Sequence, residues 1–248
     1  MRISSLVAIG VISLSALAHG APPTTQELLD RVDDLYRGDS SQGQMTMSIA
    51  TEHWKRTLSL EFWSEGTDKS LIKIKSPKKE KGTATLMVGR DVWNFLPKVK
   101  RVIKVPSSMM GASWMGSHFT NDDLVRKNRM SNDYDASITF SGKRNDMDIY
   151  EITCVTKEDA TVVWGKVVVE IGQQDLIPRT IQYFDEDMVL SRTMSFSNIQ
   201  TIGKHTLPMS FAIVEVDRPN ESTKMTYDSL AFDVMHPDTL FSLRSLQR

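Results

Sequence analysis

The sequence predicts a mainly β fold: a single unclosed antiparallel β-barrel of about 11 strands, with an N-terminal helix and a lid made of a loop and a short helix. Three observations predict it. Apolar and polar residues alternate along about a dozen short segments, as they do in antiparallel strands that bury one face. One amphipathic helical pattern precedes these segments, and one long stretch rich in methionine and aromatic residues interrupts them.

The composition is that of a globular protein without a nucleic-acid partner. The 248 residues include 30 basic and 31 acidic side chains, and the formal net charge is -1. A nearly neutral chain lacks the overall basic charge of a nucleic-acid-binding protein. No repeat of 20–50 residues and no linker divides the sequence. We therefore expect residues 19–248 to form one domain.

The N-terminus has the pattern of a secretory signal peptide. Arg2 supplies the positive charge, residues 3–17 form a short apolar run, and Ala16-Leu17-Ala18 is a cleavage site of the small-x-small type. We expect residues 1–18 to be removed by cleavage near Ala18. The mature protein is then exported, and in a Gram-negative bacterium it is periplasmic. Its one cysteine, Cys154, leaves no disulfide to be formed within the chain.

The first element of the mature chain is an amphipathic helix. Thr24 and Glu27 have the spacing of a capping box, in which the hydroxyl and the carboxylate bond the first backbone amides of a helix. Gly38 marks the end. The apolar residues in between recur at helical spacing and predict a helix that packs on a sheet: Leu28, Leu29, Val32, Leu35 and Tyr36.

After Gly43 the pattern changes to the alternation of strands joined by short turns. The first group of predicted strands covers residues 45–50, 57–62, 72–75, 83–88 and 91–96. The second group begins beyond Asn132 and covers residues 134–140, 147–156, 162–171, 178–184, 189–197, 207–216 and 223–232. A final turn at residues 236–241 is predicted to hold Leu240 and Phe241 against the sheet.

The two groups are separated by a segment, residues 105–124, that we call the flap. It contains three methionines and two aromatic residues among glycines and serines, although exposed loops favour polar turn residues. Methionine suits a surface that repacks around variable apolar partners. We interpret the segment as a flexible apolar flap beside a hydrophobic cavity; a long loop that fills an ordinary core remains the alternative. Residues 120–124 predict a short capped helix.

The candidate ligand-binding residues are the large apolar side chains of the first strands and of the flap. Both faces of the strand at residues 91–96 are apolar, and the size of Trp93 and Phe95 favours these two as the inward-facing pair. Each strand residue has an alternative role as plain core. The set is Met45, Met47, Ile49, Leu58, Leu60, Phe62, Trp93, Phe95, Met109, Met110, Trp114, Met115 and Phe119.

A basic segment leads from the Trp93 strand into the flap. Together with the lysines around Pro77 it predicts a basic rim that contacts anionic lipid headgroups or an acidic partner. The alternative is a solvated strand edge that lysines protect against aggregation. The candidate contact residues are Lys98, Lys100, Arg101 and Lys104.

Patterns typical of enzymes are weak throughout the chain. The segment Gly111–Gly116 is one residue too long for a nucleophile elbow. The histidines lack the spacing of metal ligands, and no glycine-rich phosphate loop is present. We therefore expect no catalysis, no cofactor and no metal site.

Two segments carry a resemblance to a known family. Residues 93–97 (Trp-Asn-Phe-Leu-Pro) followed by Lys100-Arg101-Val102, and residues 113–124 with Ser-Trp-Met-Gly-Ser-His-Phe-Thr, resemble the outer-membrane lipoprotein-sorting, LolA-like family. Members carry W-x-Y-L-P with R-R-V, and S-F-M-G-x-D-F with D-L. Here Phe95 replaces a tyrosine and His118 stands where an aspartate is common. The resemblance implies an unclosed β-barrel with a helical lid that binds acyl chains.

The expected function follows from this resemblance. It implies a monomeric periplasmic carrier that shields the acyl chains of a lipid or lipoprotein on the way to the outer membrane, with transient membrane contact. The branch with this type of segment resembles proteins found beside exporters of the resistance–nodulation–division (RND) type, which predicts such an exporter as partner. The alternative is an adaptor that docks on a membrane transporter through its flap. An exported polysaccharide-binding module is a weaker third option.

Overall fold

A computed structural model describes residues 22–36, 38–124, 130–160 and 162–247. The predicted signal peptide at residues 1–18 lies outside these residues. Three α-helices are described: α1 (Thr25–Asp33), α2 (Asn121–Leu124) and α3 (Met130–Asp133). The strands are β1 (Ser40–Ala50), β2 (Lys55–Glu65), β3 (Lys69–Ser76), β4 (Ala84–Val88), β5 (Asp91–Leu96), β6 (Arg101–Lys104), β7 (Tyr134–Arg144), β8 (Met147–Thr156), β9 (Lys166–Gly172), β10 (Pro178–Phe184), β11 (Leu190–Ile202), β12 (His205–Glu215) and β13 (Arg218–Phe232).

The predicted fold class is confirmed: the described strands form one unclosed antiparallel sheet, with 13 strands instead of about 11. Its order is β6-β5-β4-β3-β2-β1-β13-β12-β11-β10-β9-β8-β7, so two meanders meet where β1 pairs with β13. The end strands are β6 and β7, and within the described residues no ladder joins them. The flap and α3 connect these two end strands. The topology thus brings the flap to the opening of the sheet.

The larger hydrophobic core lies on the face of the sheet that contacts α1 and the flap, which we call the inner face. Leu28 and Leu29 of α1 are fully buried in it. The capping box is confirmed, since the Thr24 side chain accepts the Glu27 N–H and the Glu27 carboxylate accepts the Thr24 N–H at 2.7 Å. The helix ends at Asp33, earlier than predicted, and residues 34–36 continue as a turn.

A second, smaller core lies on the opposite, outer face. Its buried residues come from β3, β4, β5 and the C-terminal segment: Leu71, Ala84, Leu86, Phe95 and Leu246. Leu240 and Phe241 pack against it, as predicted for the tail. The ammonium group of Lys73 donates to the Ser245 carbonyl at 2.8 Å and further attaches the tail. The sheet therefore buries apolar side chains on both faces near β3–β5.

One strand, β6, was not predicted as such. The basic residues here predict a segment that leads into the flap, whereas Arg101–Lys104 forms a short strand with three of its four residues exposed. It pairs with β5 through four residue pairs, from Trp93 with Lys104 to Leu96 with Arg101. A four-residue edge strand buries too little to produce a clear alternating pattern.

Candidate functional site

An apolar cavity of about 280 Å³ lies on the inner face, between the sheet, the end of α1 and the flap. This volume is close to the lower end of small-molecule pockets, which span about 300–1,000 Å³. Eighteen of the 23 described lining residues are apolar or aromatic. The lining is Val32, Asp33, Leu35, Tyr36, Ser41, Met45, Phe62, Trp63, Ser64, Ser70, Ile72, Trp114, Phe119, Asp123, Leu124, Met130, Ile181, Tyr183, Met194, Phe196, Phe211, Met225 and Tyr227.

Aromatic rings from three separate parts of the chain meet around this cavity. Tyr36, just after α1, stacks on Tyr227 of β13 at 4.8 Å between ring centroids. Phe119 of the flap packs edge-on against Phe211 of β12 at 5.7 Å. The Tyr36 hydroxyl donates to the Pro208 carbonyl at 2.7 Å, and burial raises its pKa. The phenol is therefore neutral, so this wall of the cavity carries no charge.

Trp114 anchors the flap from within. It is only 2% exposed, and its indole N–H donates to the Thr85 hydroxyl of β4 at 3.1 Å. Ser113 and Thr120 form a β-bridge, and the Trp114 N–H bonds the Phe119 carbonyl at 2.7 Å. These bonds hold Trp114 and Phe119 next to each other, and both residues line the cavity.

A buried ion pair attaches α2 to the sheet. Arg192 of β11 forms two bonds with the Asp123 carboxylate, at 2.6 and 2.9 Å, and a third with the His118 carbonyl at 3.0 Å. The two side chains are 2% and 7% exposed. The Arg192 guanidinium also lies 4.5 Å from the ring centroids of Trp164 and Tyr183. The pair neutralises the carboxylate that Asp123 presents at the cavity wall.

His118 fixes the flap to β13 instead of entering the cavity. Its backbone N–H donates to the Thr223 hydroxyl at 3.0 Å, and its Nδ1 lies 2.8 Å from the same oxygen. The Nε2 atom lies 3.6 Å from the Glu221 carboxylate. A hydrogen bond from the Glu52 backbone N–H lowers the pKa of Glu221, with a smaller contribution from His118. His118, which stands where the LolA-like motif commonly has an aspartate, thus has a structural role here.

The sequence-predicted ligand residues occupy four environments, of which three involve the inner face or the flap. Met45, Phe62, Trp114 and Phe119 line the cavity. Met110 is half-buried, and Met109 is 52% exposed. The remaining residues of the inner-face group belong to the packed core or contact it without lining the cavity: Met47, Ile49, Leu58, Leu60 and Met115.

The predicted inward orientation of Trp93 and Phe95 is wrong. Phe95 is buried in the outer core, and Trp93 packs against the same cluster. The inward-facing residues of β5 are Val92 and Asn94, and the Asn94 side-chain oxygen accepts a 2.7 Å bond from Thr85, the residue that also holds Trp114. The outer face of this strand carries large apolar side chains because the C-terminal tail packs against them.

The predicted basic contact residues separate into two groups. Lys98, Lys100 and Arg101 are exposed at the turn between β5 and β6. Lys104 lies on the outer face, where it pairs with Asp91 at 2.9 Å and approaches the Trp93 ring. Within the part of the chain that the structure describes, Lys104 is therefore the one of the four that forms an ion pair.

Several lining residues were not among the sequence candidates. They come from the second group of strands and from α3, and include Met130, Met194, Phe211, Met225 and Tyr227. Their alternation was recognised, but nothing in the sequence showed that β10–β13 close on the same space as β1–β3. Arg192 was missed because a lone arginine within a strand is usually exposed.

Among the residues that the structure describes, no helix is long and apolar enough to cross a bilayer. No group of three or more histidine, cysteine, aspartate or glutamate side chains in those ranges is arranged to hold a metal ion.

Comparison with known proteins gives a family and a fold. A family model described as an uncharacterized protein matches residues 66–248. None of the curated proteins compared with the chain matches its sequence. A DUF1329 family protein from Desulfovibrio piger has a similar structure, with a TM-score of 0.82 and 22% identity over 90% of this chain and 98% of that one.

Two other solved structures show the same fold. A LolA superfamily protein from Nitrosomonas europaea has a TM-score of 0.76 and 23% identity, covering 90% of this chain and 99% of its own. A domain from Vibrio parahaemolyticus named as an outer membrane lipoprotein-sorting protein has a TM-score of 0.76 and 21% identity, covering 90% and 96%. The predicted resemblance to LolA-like proteins is thereby confirmed at the level of fold.

Proposed function

Since the chain belongs to the family of uncharacterized proteins whose model spans residues 66–248, and shares the fold of LolA superfamily structures, we propose that it is a periplasmic carrier of acyl chains. Its cargo is a lipid or lipoprotein on the way to the outer membrane. The observation that carries the proposal is the apolar cavity beneath the flap.

The cavity matches the physical task of such a carrier. Exposing an acyl chain to water costs about 0.8 kcal/mol per CH₂ group, so a lipid moves between membranes only when something shields it. A lining dominated by apolar and aromatic side chains supplies that shield. The volume suits part of a chain, and the rest is accommodated by displacement of the flap.

The lining is also suited to variable cargo. Four methionines, Met45, Met130, Met194 and Met225, are distributed around the cavity. Unbranched, polarizable side chains repack around ligands of different shape. Promiscuous binding surfaces use this kind of loose packing, which also allows release.

The polar groups at the wall are engaged in structure, which supports a carrier over an enzyme. Asp123 is paired with Arg192, and Asp33 accepts the Met130 N–H at 2.9 Å. A general acid or base requires a side chain within reach of a substrate proton. These carboxylates instead fix α2 and α3 at the rim.

The sharpest test fills the cavity with a larger side chain at one lining position. Met194 lines the cavity from β11, and Ser195 is the next residue, exposed on the outer face. We expect Met194→Trp to weaken binding of a fluorescent fatty-acid probe to delipidated protein at least tenfold. Ser195→Trp, the matched control, is expected to bind as the wild type does. Overpacking costs about 1–3 kcal/mol, so both variants should keep the native circular dichroism spectrum.

Two results would contradict the carrier. One is a wild-type protein that binds no acyl probe, and the other is equal binding by the folded Met194→Trp variant. The exposed Met109 at the tip of the flap favours the adaptor as second candidate, and absence of probe binding would support it. An RND-type exporter as partner stays a prediction from the sequence resemblance.

A further inference from the structure

Three turns meet at one end of the sheet. They follow β1, β3 and β5, and because consecutive strands are antiparallel, alternate turns of a meander lie at the same end. The register confirms the arrangement, with Ala50 opposite Lys55, Lys73 opposite Ala84 and Leu96 opposite Arg101. We call residues 51–56, 77–82 and 97–101 together the basic end.

Direct contacts join the three turns into one surface. The Arg56 guanidinium lies over the Trp54 ring at 5.2 Å and reaches the Glu80 carboxylate at 3.8 Å. Gly82 faces Pro97 so closely that a Cβ at Gly82 would lie 3.6 Å from the Pro97 Cβ. The basic end is therefore a continuous patch built from sequence segments up to 50 residues apart.

The charge of this patch differs from that of the whole chain. Its three segments contain eight basic side chains and two carboxylates, Glu52 and Glu80, whereas the whole sequence has a net charge of -1. Glu80 is already paired with Arg56. No carboxylate among the described residues forms an ion pair with Lys98, Lys100 or Arg101. The eight basic residues are Lys55, Arg56, Lys78, Lys79, Lys81, Lys98, Lys100 and Arg101.

Large apolar side chains are exposed among these charges. Trp54 is 43% exposed, and Val99, which lies between Lys98 and Lys100, is 59% exposed. Leu96 and Ile103 are exposed on the same hairpin. Tryptophan and aliphatic residues beside lysine and arginine are typical of protein surfaces that settle at the headgroup level of a membrane.

We propose that the basic end docks the protein on an anionic lipid surface. The basic side chains supply the attraction to anionic headgroups, and the tips at Trp54 and Val99 enter the interface. This inference rests on the proposed function and deepens it, because the same end contacts the flap. Arg56 donates to the Met115 carbonyl, so docking brings a membrane next to the segment that covers the cavity.

The test measures binding of the full-length mature protein to phosphatidylcholine vesicles with and without phosphatidylglycerol, by flotation at low and at physiological salt. We expect binding only to the vesicles with phosphatidylglycerol, weakening as salt rises. Each basic residue near an anionic surface contributes about fivefold in affinity. The variant Lys98→Gln/Lys100→Gln/Arg101→Gln should therefore bind on the order of 100-fold more weakly.

A matched control separates docking from general charge. The variant Arg90→Gln/Lys143→Gln/Lys204→Gln changes the net charge equally at exposed positions near the opposite end of the sheet, and we expect it to bind the vesicles as the wild type does. Both triple variants should bind the soluble fatty-acid probe normally. Normal probe binding without vesicle binding overturns the docking surface and leaves the carrier standing. Loss of probe binding in the wild type overturns the carrier instead.

Two other outcomes also overturn the docking surface. One is equal loss of vesicle binding in both triple variants, which indicates non-specific electrostatics. The other is equal binding of the wild type to both kinds of vesicle. A wild-type protein that binds neither kind of vesicle would point to an acidic protein as the partner of the basic end.

Discussion

Arg192 connects two parts of the chain that are 69 residues apart in sequence. Its guanidinium reaches the Asp123 carboxylate and the His118 carbonyl, so one side chain holds both ends of the C-terminal part of the flap. Both partners are buried, and buried charges are strongly attracted only while each remains paired. The flap is therefore attached by a charge pair as well as by apolar packing.

The Asp123→Asn substitution should destabilise the protein by about 3–5 kcal/mol, because it leaves the Arg192 cation buried without its counter-charge. Urea unfolding followed by circular dichroism measures the change. Adding Arg192→Met to this variant should recover part of the loss, since it removes the uncompensated cation. A loss below about 1 kcal/mol for Asp123→Asn would show that the pair does not hold the flap.

Sequence reasoning identified some cavity residues and missed others for a physical reason. Met45, Phe62, Trp114 and Phe119 are large apolar residues in regions of clear pattern, and all four line the cavity. Arg192 has an ordinary sequence environment, and only the fold brings Asp123 to it. Pair contacts between distant residues leave no local periodicity, so they are visible only in the structure.

At the scale of elements, α1 shows local sequence acting alone. The Thr24–Glu27 box begins the helix where the pattern predicts, and burial of Leu28 and Leu29 fixes it on the inner face. Hydrogen bonds from the Thr24 backbone and side chain lower the pKa of Glu27 below its usual value near 4.5. The ionised carboxylate therefore stabilises the folded helix.

A pH dependence follows from this lowered pKa. The stabilisation is present above the unfolded pKa, and it is lost as the pH falls through the folded pKa, which lies below 4.5. We expect Glu27→Gln to lower the urea midpoint at pH 7, and the difference from the wild type to disappear toward pH 3. A difference that stays constant across this range would show that the charge of Glu27 has no part in capping.

The strand β5 shows where element-level reasoning fails. Alternation predicts two faces, but it does not say which face is inner when both are apolar. Val92 and Asn94 face inward because Phe95 and Trp93 are covered by a C-terminal tail about 150 residues later. The number and direction of the main strands followed from their pattern, whereas the orientation of this one depended on a distant partner.

At the scale of the whole molecule, the sheet separates two apolar compartments. The inner one surrounds the cavity, and the outer one is sealed by the tail. Trp63 and Phe62 are neighbours in β2, yet they contact different cores. The half-open sheet therefore needs only one of its apolar faces for a ligand, because the tail covers the other near β3–β5.

This separation predicts that stability and ligand binding respond to different substitutions. Leu246 is fully buried in the outer core, and Leu246→Ala should lower the free energy of unfolding by about 2–5 kcal/mol. Leu243 lies in the same tail with its side chain exposed, and Leu243→Ala should change stability by less than about 0.5 kcal/mol. Under conditions where it remains folded, Leu246→Ala should bind the fatty-acid probe with unchanged affinity, because none of the buried outer-core residues lines the cavity. If Leu246→Ala weakens binding of the probe as strongly as Met194→Trp does, the two compartments are coupled, and the tail takes part in shaping the cavity.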